Sequence, residues 1–168
     1  MKKSGWIVLA GLVLLTVLSF FILAPDGKLH VYFLDVGQGD AIFVQTPGGR
    51  QVLIDGGPDK TILRRLGEVM PFFDRTIDLI VATHPDIDHL AGLVEVLKKY
   101  EVASIVETGM ECETALCAEW ERIEPEEHAQ IYYGILGQEI EVEKGVKFTI
   151  LSPFFDEYHK KISTRNNG

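Results

Sequence analysis

Cysteine, tryptophan and methionine are scarce in this chain, at two, two and three of 168 residues. Two cysteines, Cys112 and Cys117, cannot make a zinc finger, which needs further Cys or His at matching spacing. They leave a local disulfide or two thiols, and the staple is the favoured reading outside the cytoplasm. Residues five apart on one regular helix point about 140° away from each other. A bond therefore requires Cys112 to lie before a helix begins. Positive charge is short as well: 16 Lys and Arg stand against 25 Asp and Glu, for a formal net charge of −9. Between Glu107 and Glu127, eight glutamates face one arginine, Arg122, a local net of −7. A broad basic footprint for nucleic acid is excluded. The acidic stretch reads as a solvated helix face. Any polyanion would have to be drawn by metal ions and by local cations such as Arg64, Arg65, Lys160, Lys161 and Arg165.

Internal repeats and low-complexity tracts are also missing, and the length leaves room for one domain. What the chain does have is a run of 20 uncharged residues, Gly5–Ala24, behind Lys2 and Lys3. Twenty helical residues reach about 30 Å, the thickness of a hydrocarbon core. A cleaved signal peptide is the competing reading, but its apolar region is shorter and ends in a small-x-small site. Here Phe20, Phe21, Ile22, Leu23 and Ala24 precede Pro25. The expectation is an uncleaved single-pass anchor over 5–24, with Trp6 at the interface. Residues 1–4 would be cytoplasmic and the rest extracytoplasmic by the positive-inside rule. Residues 25–28 would link the anchor to a domain over 29–168.

Apolar periodicity divides that domain. Leu29–Val36, Ala41–Thr46 and Gln51–Asp55 read as strands, the last two joined by the turn signal Pro47-Gly48-Gly49-Arg50. Asp59 can cap a helix over Lys60–Met70 that Pro71 stops. Ile77–Ala82 and Val102–Glu107 read as strands around a helix at His89–Tyr100. A further helix is expected over Thr114–Ile123, then strands at Ala129–Tyr133, Glu139–Val142 and Val146–Leu151. An antiparallel meander followed by βα units predicts α/β (α+β) layers.

The chemistry concentrates in residues 83–92, Thr-His-Pro-Asp-Ile-Asp-His-Leu-Ala-Gly, directly after a predicted strand. His84, Asp86, Asp88 and His89 offer imidazole and carboxylate donors, the ligand set of Zn²⁺, Mn²⁺ and Fe²⁺. Two ligands two residues apart, followed by an adjacent pair, can serve two ions side by side. The blander reading is a solvated loop whose aspartates cap the next helix. His30, His128 and His159 have no partner at ligand spacing and read as incidental; Trp120 reads as helix packing.

Three segments, LDVGQGDA (34–41), LIDGG (53–57) and THPDIDHLAGL (83–93), occur in order at strand ends. Together they resemble the metallo-β-lactamase-like superfamily, and within it the ComEC type of competence proteins, from about Leu29 onward. Leu-Ser-Pro at 151–153 and Asn166-Asn167 extend the likeness. The resemblance implies an αββα sandwich, here its N-terminal part only, in a fragment that alone would be inactive. It also implies two divalent ions, zinc or manganese. His84 and Asp86 would face the first ion, Asp88 and His89 the second, with Asp88 as the catalytic residue holding the bridging water or hydroxide. Where the superfamily's usual pattern has histidine, Asp86 makes the first position harder and shifts preference toward manganese.

Asp55 and Asp40 would support the site from neighbouring strand ends, with Asp35 in the same motif as Asp40. For Asp55 a turn-forming carboxylate is the rival reading. Asp35 and Asp40 lean toward bonding backbone amides of the Gly37–Gly39 loop. The implied activity is metal-hydroxide hydrolysis of a phosphodiester such as single-stranded nucleic acid during uptake. The alternatives are a small ester, lactone or amide, or a non-catalytic metal-binding module.

Overall fold

The computed structural model describes residues 3–110, 112–123 and 129–152, without the side chains of 3, 4, 7 and 17–23. Glu111, Glu124, Glu126, Glu127, His128, Pro153, His159, Lys160, Lys161, Arg165 and Asn166-Asn167, on which expectations fell, lie outside the described residues.

Helix α1 (Lys3–Leu23) is followed by strands β1 (His30–Phe33), β2 (Ile42–Gln45) and β3 (Gln51–Ile54). Next come α2 (Thr61–Val69), β4 (Thr76–Ile77), β5 (Leu79–Ala82) and α3 (Ile87–Leu97). The described chain closes with β6 (Glu101–Val102), β7 (Ser104–Glu107), α4 (Ala115–Ile123), β8 (Gln130–Tyr133), β9 (Glu139–Glu143) and β10 (Val146–Thr149). One six-stranded sheet has the order β1-β2-β3-β5-β7-β8. Its first three strands form the expected antiparallel meander, and β3, β5, β7 and β8 run parallel.

Alternate side chains of the central strands enter two different cores, as a period of two requires. Leu53, Ile80 and Ile105 point into a core with Ile62, Leu66, Leu93 and Leu97 of α2 and α3. Val52, Leu79 and Val106 point the other way, onto Ile140, Val142, Phe148 and Ile150 of the β9–β10 hairpin. Burial on both faces explains the near-continuous apolar runs of these strands. Glu143 pins the hairpin by accepting bonds from the Thr46 hydroxyl and, at 2.9 Å, from the Gly48 amide.

Two expected strands are each broken in two. Asp78 interrupts 77–82 because its carboxylate takes bonds from Arg50 and from the Gln51 amide. The displaced segment, β4, pairs instead with β6, which is likewise split from β7. Helix α2 starts at Thr61, whose amide donates to Asp59 at 2.7 Å, and Met70 before Pro71 is extended (φ −104°, ψ 151°), as a residue preceding proline must be. Cys112 lies ahead of α4 and is bonded to Cys117, which meets the condition set by helix geometry.

The segment expected to be an anchor is helical, forming the 21 residues of α1. Its described large side chains are exposed, from 46% at Leu9 to 68% at Leu14. Among the described residues, no helix is long and apolar enough to cross a membrane.

Helix α3 reaches the meander through glycine. A Cβ on Gly92 would stand 1.8 Å from the Gly56 carbonyl oxygen, and one on Gly56 would stand 2.5 Å from the Leu93 nitrogen. The Gly92 amide donates to Gly57 at 2.9 Å. Replacing Gly92 by Ala should therefore cost about 1–3 kcal/mol despite the better helix former, because backbone must move. Exposed Gly67 on α2 has nothing within 4 Å of its Cβ position. Gly67→Ala should gain about 0.5–1 kcal/mol. Urea midpoints of the two variants check both signs.

Candidate metal centre

The site forms where β3 and β5 end side by side. Asp55 follows β3 with φ +56°, the left-handed region that few residues besides glycine and Asn or Asp tolerate. Its amide donates to the Val81 carbonyl at 2.9 Å, extending the parallel ladder by one residue. The side chain is thereby turned inward, and the residue is only 3% exposed.

A buried carboxylate is costly unless its oxygens are satisfied. Asp55 Oδ1 accepts the Thr83 amide at 2.9 Å, while Oδ2 accepts the Thr83 hydroxyl at 2.6 Å and pairs with His89 Nδ1 at 2.9 Å. A carboxylate only accepts, so Nδ1 of neutral His89 carries the proton and Nε2 keeps its lone pair. Thr83 has given its single hydroxyl proton to Asp55, so it can only accept from His84 Nδ1, 2.8 Å away. Nδ1 of neutral His84 is protonated too, and its Nε2 is also left as a donor to a cation. One carboxylate thus sets both tautomers, the arrangement that orients histidines toward a metal. The two rings lie with centroids 3.9 Å apart.

Asp55, His84 and His89 can bring ligand atoms within 4.8 Å of one another. The donor set fits a divalent cation: two imidazole nitrogens with open lone pairs and a carboxylate behind them. Because three bonds already occupy Asp55, its place is that of the orienting group. This favours the supporting role over that of a turn-forming carboxylate.

The other predicted residues fall at different places. Asp86 precedes α3, yet its side chain makes no capping bond; it stands exposed, 3.6 Å from His84 Nε2. Its carbonyl accepts the His89 and Leu90 amides at 3.0 and 2.9 Å. Asp88 lies in the first turn of α3, and both aspartates are outside the three-residue cluster. The Gly37–Asp40 loop reaches this turn: a Cβ on Gly39 would stand 1.8 Å from the Asp88 carbonyl oxygen. Asp40 is exposed and contributes its carbonyl, which accepts the Gly57 amide at 3.0 Å. Asp35, expected to bond loop amides, instead pairs with Arg65 Nη2 at 2.8 Å. Arg64 and Arg65 both also bond Glu68, so these cations are committed to neighbours. His30 pairs with Asp26, away from the site, and Trp120 is buried, donating to Glu107 at 3.0 Å.

Thr83 was missed by motif reasoning. Its signal was available: a hydroxyl residue at the strand end, directly before the first histidine.

An α/β scaffold with two histidines held by one buried carboxylate at parallel strand ends defines a metal-binding class of protein. The family model of the metallo-beta-lactamase superfamily matches residues 34–159, well over half of the chain, and the chain belongs to that superfamily. Among solved structures, the Rm3 metallo-beta-lactamase is similar in fold, with a TM-score of 0.50 and 17% identity. That likeness covers 77% of this chain and 49% of the other, so the chain spans about half the length of that relative. No curated protein matches. Members of the superfamily are usually metal-dependent hydrolases.

Thr83→Val should lower zinc or manganese affinity about 10–100-fold, as loss of a histidine-orienting partner does, while Thr83→Ser keeps it. Calorimetric titration measures the affinity, and long-range ¹⁵N NMR of His84 should show loss of the pure Nδ1–H form in the valine variant only.

Proposed function

We propose that this chain is the hydrolase domain of a membrane-anchored, extracytoplasmic enzyme that cleaves a phosphodiester with two divalent ions, zinc or manganese. The observation that carries the hydrolase reading is the Asp55–Thr83–His84 and Asp55–His89 network, which engages Nδ1 of both histidines and leaves their Nε2 lone pairs for a cation. His84 and His89 would hold metal, with Asp86 and Asp88 completing the two positions from the start of α3. When bound, the ions would lower the pKa of water toward neutrality and offset charge on the attacked group. Asp55 keeps both rings oriented, and Gly39 lets the 37–40 loop close over the start of α3. Asp88, in the first turn of α3 and next to His89 in sequence, would be the catalytic residue that holds the attacking water or hydroxide.

The phosphodiester and the tie to nucleic-acid uptake are supported by the likeness of the three motifs to ComEC-type domains. The anchor is supported by α1, whose exposed apolar side chains suit a lipid surrounding better than water. Lys2 and Lys3 would stay in the cytoplasm. The Cys112–Cys117 bond agrees with an oxidising, extracytoplasmic location. A second reading, an ester, lactone or amide substrate, is favoured by one observation: the cavity beside His84 carries Glu107 and Glu121, which suit a neutral acyl compound better than a polyanion.

The full-length gene product, supplied with Zn²⁺ or Mn²⁺, should hydrolyse single-stranded oligonucleotides or bis(p-nitrophenyl) phosphate and lose that activity in a chelator. Asp88→Asn should reduce turnover at least about 10²-fold, the scale of a lost acid–base group, with its circular dichroism and Tm unchanged. Turnover of ester or lactone substrates alone would select the second reading, and metal binding without any turnover would leave a binding module.

A further inference from the structure

A cavity of about 340 Å³ opens beside His84 on the side of α4, near the lower end of the range for small-molecule sites. It borders the metal centre directly, because His84 is part of its wall. The indole of Trp120, Met110 and the Cys112–Cys117 bridge give it an apolar lining, and Glu107 and Glu121 supply carboxylates. Among the described residues that line it, none is a lysine or arginine.

Each of these features selects the same chemistry. Carboxylates in a part-apolar concavity act through a lower effective dielectric than in water, so they attract a cation and repel an anion more strongly than exposed acids do. Trp120 Nε1 donates to Glu107 Oε2 at 3.0 Å, which couples the ring to the carboxylate. The disulfide ties Cys112, ahead of α4, to buried Cys117 within it, so this part of the wall is covalently linked.

We infer that this cavity is the subsite for the part of the substrate next to the scissile bond, and that it takes a positively charged, amine-bearing group while excluding a carboxylate or a further phosphate. The substrate role rests on the ester, lactone or amide reading above, since a nucleic acid would bring a further phosphate to this cavity; the charge preference of the cavity does not. A cation here would sit within reach of Glu121 at the rim and Glu107 at the strand end, leaving His84 to face the bond being cleaved.

The test is equilibrium binding to the full chain in a Trp6→Phe background, where Trp120 is the sole tryptophan. Benzylamine, benzyl alcohol and benzoate are titrated in EDTA while Trp120 fluorescence is followed. Benzylamine should bind at least tenfold more tightly than benzoate, with the alcohol between them. Glu121→Gln should narrow the gap to under threefold, and Glu121→Lys should reverse the order. Equal binding of amine and benzoate, no amine-dependent change in Trp120 emission, or an unchanged gap in both Glu121 variants would overturn the inference. Turnover is scored separately on p-nitrophenyl esters and phosphodiesters with added zinc. Amine preference without turnover removes the hydrolase reading and keeps a cation-binding cavity. Turnover without amine preference keeps the hydrolase and removes the subsite.

Discussion

The burial of one carboxylate, Asp55, organises the rest of the site. An ionised carboxylate at 3% exposure is tolerated only when fully bonded. Its three partners come from two neighbouring elements: the Thr83 amide and hydroxyl at the end of β5, and His89 in the first turns of α3. Satisfying the charge therefore aligns a strand end with a helix start. The left-handed backbone at Asp55 is the local cost of aiming the side chain inward. Metal presentation gives a reason for it, since the same bonds decide which nitrogen of each histidine stays open.

Close backbone approach makes that alignment reachable. Gly56, Gly92 and Gly39 occupy positions where a Cβ would fall on backbone atoms, two of them on α3 itself. Through these contacts α3 lies against both the 55–57 turn and the 37–40 loop. The three motifs that stood apart in sequence, at 34–41, 53–57 and 83–93, thus become one surface. Gly39 of LDVGQGDA and Gly56 of LIDGG are spacing devices as much as turn residues.

Much of this was legible in the sequence, and the unread part has a common cause. Short apolar runs marked the central strands, and Pro47–Arg50 marked the hairpin turn, because those signals are local. His84, His89 and Asp55 were found for the same reason: ligand chemistry at strand ends is visible in a few consecutive letters. The split of 77–82 at Asp78 was not visible, since it depends on bonds to Arg50 and Gln51 on another strand. The role of Thr83 and the Asp35–Arg65 pair were hidden likewise, being settled by side chains about 30 positions away in sequence. At Asp86 the structure separates the two readings that the sequence left side by side. Its position invites a capping reading, yet no capping bond forms and its carboxylate turns toward His84.

The polarity of the parallel strands separates the ends of the domain by role. Asp55 and Thr83 follow β3 and β5 at one end. Gln51 and Asp78 stand at the other, with the 46–50 turn. Pro25, one residue after the apolar N-terminal run, packs at that second end, where a Cβ on Gly49 would lie 2.7 Å from its ring. Four strand residues span about 13 Å, so the chain leading from α1 enters the domain a full strand length from the histidines. The candidate metal centre and its neighbouring cavity lie at the opposite end. The turns at the Pro25 end are held by pairs such as Arg50–Asp78 and Thr46–Glu143, which leaves the loops at the other end to the histidines and their partners.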